Sequence, residues 1–214
     1  EKPYVRALID NIYETNRRTV IKENGAIVET TEHILAALFA SSINNLIIEI
    51  DGPELPILDG SSKIFIEKIE EAGIKIQDQK KQQFNLLSYF KVENKSDNSK
   101  IEFYPQKKLE LEVYIDYDSK VLKPQKAKLS TLLNFKKDIA AARTFCFLHE
   151  LDQLINHNLI KGGDINNGIV FIEKDVTIES LGELKKLLPK QIRKLNKGIL
   201  NNKKLLFENE QAKH

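Results

Sequence analysis

The feature that most constrains this chain is the order in which two hydrophobic rhythms follow one another. Short strand-like stretches come first: Tyr4 to Ile12, Thr15 to Ile21, and Ala26 to Val28. Asn24-Gly25 is a good two-residue hairpin turn between the second and third. The rhythm then changes. Ile34, Leu35, Leu38 and Phe39 form one stripe of helical period, and Thr30-Thr31 just before them carries N-cap chemistry. Asn44 to Ile50 predicts a buried strand ended by Asp51-Gly52-Pro53. Ser61-Ser62 predicts the cap of a second amphipathic helix, Ile64 to Ala72, closed by Gly73. Strands, helix, strand, helix in that order predict an α+β layer.

Near Gln77 to Gln83 the chain turns polar, Gln-Asp-Gln-Lys-Lys-Gln-Gln, and a domain boundary is expected there. Strands are predicted at Leu86 to Val92, Lys100 to Tyr104 and Leu109 to Tyr117, with Asn94 to Ser99 as a hairpin loop. Helices are predicted at Asn134 to Ala141, Leu148 to Asn156 and Ile178 to Leu188, and a strand at Gly168 to Glu173 after the break at Gly162-Gly163. The expected domains are therefore 1–82 and 83–214.

Composition matters mainly through what it excludes. With 214 residues the chain can build a core without staples, and one cysteine, Cys146, rules out a disulfide scaffold or a Cys-rich zinc module. No apolar run approaches the ~20 residues of a membrane helix. No signal peptide opens the sequence, so a cytoplasmic location is expected. The net charge of +2 does not describe a strongly basic nucleic-acid binder. Residues 1–82 hold 10 Lys and Arg against 14 Asp and Glu, a net of −4; residues 83–214 hold 23 against 17, a net of +6. The basic half could attract a phosphate or RNA, or simply be a solvated lysine surface. Met is absent and residue 1 is Glu, so the sequence reads as a fragment of a longer protein.

Glu32-His33 at the predicted helix start is the sharpest chemical pair. Neighbours on a helix diverge by about 100°, so the two could flank one metal ion but not both meet it head-on. A neutral imidazole would bind the metal, and the carboxylate would serve as a base. The plainer alternative is a first-turn Glu favouring the helix dipole beside an incidental His. Thr144 could donate to an oxyanion and Phe145 could stack on a sugar, or they could be a strand-start Thr and a core Phe. Lys161-Gly162-Gly163-Asp164 could approach a ligand closely or be an ordinary turn. Nothing resembles a P-loop or dinucleotide fingerprint, and no charge pattern around Cys146 marks a nucleophile.

Taken in order, Asp10-Asn11-Ile12-x-Glu14-Thr15-Asn16-Arg17, Thr30-Thr31-Glu32-His33-Ile34-Leu35-Ala36-Ala37-Leu38 and the run from Asn45 to Ser61 resemble the UDP-3-O-acyl-N-acetylglucosamine deacetylases. Arg143-Thr144-Phe145, Leu159 to Asn167 and Leu206-Phe207-Glu208-Asn209-Glu210-x-x-x-His214 continue the resemblance across essentially the whole chain. Phe147 to Leu151 and Gly198 to Asn202 look like the Bacteroidetes-type members, often fused to an acyl-carrier-protein dehydratase. Such a domain would follow residue 214.

The resemblance implies two two-layer sheet/helix domains of similar topology with the active site between them, and one zinc ion per chain. It implies hydrolysis of the N-acetyl group of the UDP-sugar, the committed step of lipid A biosynthesis. His33 and His214 match zinc ligands, Glu32 the general base, and Thr144 the oxyanion donor. Phe145 matches a sugar contact, and Tyr117 after Asp116 an aromatic against uracil, although Asp118-Ser119-Lys120 departs from the family's His-Pro ending. The segment 148–170 matches an inserted β-α-β unit that passes the acyl chain, with Leu148, Leu151 and Ile160 as apolar lining and Gly163 at the substrate side. A third ligand, an Asp, and a catalytic His would lie beyond residue 214. A different reading of the same fold is a catalytically inactive nucleotide-sugar-binding or assembly module; an RNA-binding domain is a third.

Overall fold

Paired φ values at one turn show how closely local sequence sets the first sheet. In the computed structural model, Asn24 and Gly25 both adopt positive φ, 49° and 85°, the geometry whose twist matches a two-residue hairpin. They join β2 (Val20–Glu23) to β3 (Ala26–Val28), and β1 (Ile12–Glu14) completes an antiparallel sheet in the order β1-β2-β3. Residues 2–81, 83–151 and 167–175 are described in full. The short strands at Val176–Thr177, Lys194–Leu195, Gly198–Asn201 and Lys204–Leu206 are described by their backbone.

Helix α1 (Glu32–Ala40) packs on α2 (Lys63–Ala72). Their shared core is Ala37 and Ile66 with Ala140 from the second half, bordered by Phe65, Ile69 and Phe135. The two predicted caps work differently from expectation. Neither Thr31 nor Ser62, the residues at the two N-cap positions, makes a side-chain cap bond. Thr31 Oγ1 donates instead to the Thr19 carbonyl, 3.1 Å, and Ser62 Oγ to the His33 carbonyl, 3.0 Å. Ser61 Oγ accepts from the Lys63 amide at 3.1 Å. The Thr31 and Ser62 hydroxyls are thus spent tying the helices to their neighbours, while Ser61 meets an amide at the start of α2 as the predicted cap requires. Gly73, at φ 78°, ends α2 as expected.

Two predicted strands are not formed. Tyr4 to Ile12 is largely irregular, with a 3-10 turn at Ile9–Asn11. Asn44 to Ile50 makes no ladder, and Ile47 is 88 % exposed. The first segment runs beside β2 but joins its ladder only at Ile12, and the Arg6 amide bonds the Glu23 carboxylate instead of a strand backbone. For Asn44 to Ile50 no paired strand is found among the described residues, and an apolar run alone cannot supply that partner.

The second half adds two hairpins: β4 (Phe90–Asn94) with β5 (Ser99–Phe103), and β6 (Leu111–Ile115) with β7 (Gln125–Leu129). Strand β7 lies outside the predicted strands; of its five residues only Ala127 and Leu129 are apolar, a weak strand signal. A 3-10 turn, Leu132–Asn134, leads into α3 (Phe135–Asp138). This helix is shorter than predicted because the Ala140 amide bonds the Phe135 carbonyl, a wide closing turn. Next come β8 (Phe145–Phe147), β9 (Ile169–Ile172), β10 (Val176–Thr177), β11 (Lys194–Leu195), β12 (Gly198–Asn201) and β13 (Lys204–Leu206). The largest sheet runs β13-β12-β9-β8, with β8 and β9 parallel. Its core gathers Leu122, Phe147, Ile169 and Phe171. Residues 148–151 are helical, the start of the predicted Leu148–Asn156 helix; the remainder and Ile178 to Leu188 lie outside the described residues. The architecture is α+β, and no helix among the described residues is long and apolar enough to cross a membrane.

Candidate active site

Glu32 opens α1, where an acidic residue meets the positive end of the helix. Its Oε2 accepts the Thr19 amide at 2.9 Å. The Thr19 carbonyl in turn accepts both the amide and the hydroxyl of Thr31, each at 3.1 Å. Three hydrogen bonds therefore fasten the loop before β2 to the first turn of α1, and one of them fixes the carboxylate. Thr30 holds φ 60°, an uncommon conformation for a β-branched residue. Its hydroxyl donates to Glu54 Oε1 at 2.7 Å, beside the isolated bridge between Glu29 and Glu54. That bond and that bridge hold the backbone turn that aims Glu32.

His33 is 5 % exposed, and its Nε2 lies 4.0 Å from Glu32 Oε1. Burial holds its pKa below the ordinary histidine value, while the nearby Asp59 carboxylate works in the opposite direction. The imidazole is thus neutral at physiological pH, the form in which it binds a metal.

Asp59 belongs to a tight turn in which Leu58 and Gly60 take φ 53° and 80°. Its Oδ1 accepts the Ser61 amide at 3.1 Å and the Ser61 hydroxyl at 2.8 Å, and its carbonyl accepts Arg143 Nε at 2.7 Å. The next residue makes a very close backbone crossing. The Gly60 carbonyl accepts the Thr144 amide at 2.8 Å, and a Cβ on Gly60 would sit 1.8 Å from the Asn167 carbonyl oxygen. Only glycine fits. The Thr144 carbonyl then accepts the Ile169 amide at 2.9 Å. Thr144 is held between the Asp59–Ser61 turn and β9.

Phe145 and Tyr117 meet edge to face, ring centroids 5.6 Å apart, within a cluster that includes Phe147 and Phe171. Tyr117 is 52 % exposed, so one face of this cluster is open to solvent. Asp116 is exposed, and its Oδ1 accepts the Asp118 amide at 3.0 Å in the turn that follows β6. Leu148 is buried in packing and Leu151 is partly buried. Ile160, Gly163 and His214 lie outside the described residues.

The structure thus brings Glu32, His33 and the Asp59–Ser61 turn together, and Thr144 is bonded to that turn. Sequence reasoning missed Asp59, Thr19 and Asn167 as parts of this arrangement. An Asp two residues before a Ser is a recognisable Asx turn, a signal that the N-cap chemistry of the same Ser61-Ser62 obscures. Nothing local marks Thr19 or Asn167, whose parts are played by backbone atoms. Among the described residues, no three His, Cys, Asp or Glu side chains group closely enough to hold a metal ion. The chemistry of this corner nonetheless fits a metal ligand: a buried neutral imidazole beside a fixed carboxylate.

Comparison with known proteins places these residues in context. The family model for UDP-3-O-acyl N-acetylglycosamine deacetylase matches residues 1–184. A bifunctional enzyme LpxC/FabZ of Porphyromonas gingivalis is 37% identical over 214 residues, covering 100% of this chain and 46% of that protein. The protein of the same name from Bacteroides thetaiotaomicron is 38% identical over 214 residues, with the same coverage of 100% and 46%. A UDP-3-O-acyl-N-acetylglucosamine deacetylase of Chlamydia pneumoniae is 36% identical over 192 residues, covering 85% of this chain and 64% of that protein. The chain therefore spans a little under half the length of the two bifunctional relatives. With a family match running from residue 1 to residue 184, through Glu32-His33, the Asp59 turn and Thr144, this chain belongs to the UDP-3-O-acyl N-acetylglycosamine deacetylase family.

Proposed function

We propose that the protein containing this chain hydrolyses the N-acetyl group of a UDP-3-O-acyl-N-acetylglucosamine, the step that commits this sugar to lipid A. The observation that carries the reading is the corner at the start of α1. A carboxylate held by a backbone amide stands beside a buried, neutral histidine in a chain of this family. The reading includes two sheet-and-helix domains, 1–82 and 83–214, with the site between them, and a cytoplasmic location. The name of the bifunctional relatives supports a dehydratase domain after residue 214.

The residue roles have a physical logic. His33 would hold a zinc ion together with His214 and groups beyond this sequence. Zinc, when bound, supplies Lewis-acid polarisation of an amide carbonyl and of water. Glu32, kept in one orientation by the Thr19 amide, takes a proton from the attacking water. General-base groups of this kind contribute about 10²–10⁴ in rate. Thr144 would donate its hydroxyl to the developing oxyanion, from a backbone pinned on both sides by Gly60 and Ile169. Phe145 would pack on the sugar, with Tyr117 and Asp116 toward the uracil. Leu148, Leu151, Ile160 and Gly163 would border the acyl chain.

The test is acetate release from the UDP-sugar by the complete protein. Glu32→Gln is expected to lower kcat by at least about 10²-fold while zinc content stays at one per chain. Unchanged turnover in that variant defeats the role assigned to Glu32. Substrate binding without acetate release by the unsubstituted, zinc-loaded protein defeats the hydrolase reading in favour of a binding module.

A further inference from the structure

We propose that Arg17 is a positioning residue, which holds the Glu32 carboxylate in place by anchoring the loop before β2 to Glu150 on the other half of the chain. The kinetic part of this inference rests on the deacetylase reading; the structural part does not. Arg17 lies two residues before Thr19, whose amide fixes Glu32. It adopts φ 65°, a conformation that a non-glycine residue holds only when its surroundings impose it.

Glu150 supplies such a constraint. Arg17 Nη1 donates to Glu150 Oε2 at 3.3 Å, and Nη2 donates to Oε1. Oε2 also accepts the Phe147 amide at 2.9 Å, so the carboxylate caps the helical turn 148–151 while it receives the guanidinium. Burial pushes the Glu150 carboxyl up, but the bonds from Arg17 and Phe147 outweigh it and leave the pKa below the ordinary glutamate value. The loop has a second tether, Arg18 to Glu29 at 3.3 Å, toward β3. The Arg17 tether is the one that reaches β8, the strand that begins directly after Thr144. A single two-pronged contact thus joins the loop that holds the proposed base to the strand that follows the proposed oxyanion donor.

The Arg17 side chain is 45% exposed, and ion pairs this open add little to global stability. The expected signature is therefore local. In the complete, zinc-loaded protein, Arg17→Ala should speed hydrogen exchange of the Thr19 amide by about 10-fold, while β2–β3 ladder amides keep their rates. For deacetylation, Arg17→Ala and Glu150→Gln should each lower kcat by about 10-fold or more with little change in KM. Gln at position 150 retains an acceptor for the Phe147 amide, so the helix start survives. Zinc content and Tm should hold, Arg17→Lys should recover part of the loss because it restores one prong, and the double variant should fall no further than the worse single one. Unchanged Thr19 exchange overturns the proposal whatever the kinetics. So does a kcat loss that merely follows Tm. Absence of acetate release from the unsubstituted enzyme counts instead against the deacetylase reading, and the exchange measurement then decides the role of Arg17.

Discussion

The corner around α1 and the hairpins β4–β5 and β6–β7 fix their backbones by opposite means. The hairpins rely on register. Five consecutive pairs run from Phe90↔Phe103 to Asn94↔Ser99, and five more from Leu111↔Leu129 to Ile115↔Gln125. Their side chains stay largely exposed, including Val92, Ile101, Val113 and Tyr114, and the charges across them pair on the surface, Lys126 with Glu112 and Lys128 with Glu110. The corner has little ladder. It is held by side chains reaching backbone atoms of remote segments, with Thr30, Thr31, His33, Ser61, Ser62 and Asn167 all buried. Three of its residues, Thr30, Leu58 and Gly60, hold positive φ. A ladder repeats one kind of bond and tolerates changes of side chain. A cross-linked corner uses each bond once, so identity matters at every position.

Four measurements would break or sharpen this contrast. The largest effect concerns Cys146 on β8, against the corner. Burial, with Glu150 adding to it and Arg17 opposing, pushes its thiol up to about 12. Reaction with a thiol reagent at pH 8 should be at least about 100-fold slower in the native protein than after unfolding, because the thiolate is the reactive form. Comparable rates would mean that this edge of the corner is open.

Two glycines separate crowding from backbone strain. Gly60→Ala meets the Asn167 carbonyl at 1.8 Å and Thr144 Cγ2 at 3.2 Å, on top of φ 80°. It should cost about 3–5 kcal/mol in denaturant unfolding. Gly25→Ala, at φ 85° with nothing within 4 Å, carries only the conformational term, about 1–2 kcal/mol. Equal costs would show that the Gly60 crossing yields easily.

Acid should find the corner next. His33 has a folded pKa below its unfolded value, so the unfolded chain takes up the proton first. Its contribution to stability is intact above about pH 6.5 and is lost as pH falls through the lower, folded value. In chelator-treated protein, Tm should drop across that range, and His33→Asn should flatten the drop. An undiminished slope in the variant would place the sensitivity elsewhere. The smallest effect is reserved for the hairpins: Val113→Thr, at a half-exposed position, should change stability by no more than about 0.5 kcal/mol.

How much of this could be read from the residues alone depended on the range of the forces involved. The Asn24-Gly25 turn, the extent of α1, the end of α2 at Gly73 and the strand β9 were all legible, because local conformational preference or an apolar stripe dictates them. Glu32 and His33 stood out as a pair, and the structure shows them at the start of α1, one bonded to a backbone amide and the other buried. Their supports were not legible. Asp59 lies near His33 only because the turn before α2 folds back on α1, and Arg17 meets Glu150 across 133 positions. The segment Asn44 to Ile50 failed in the other direction: its composition is that of a strand, but strand formation also needs a neighbour, which no segment carries in its own letters.

The parallel pairing of β8 with β9 has one more implication. Parallel neighbours cannot be joined by a tight turn, so the chain must leave the sheet after Phe147 and return before Ile169. Both departure and return are anchored, the first by Glu150 at the Phe147 amide and the second by Thr144 at the Ile169 amide. Each footing is also bonded to the corner, Thr144 to Gly60 and Glu150 to Arg17, so displacing either one would be felt in the corner as well as in the sheet.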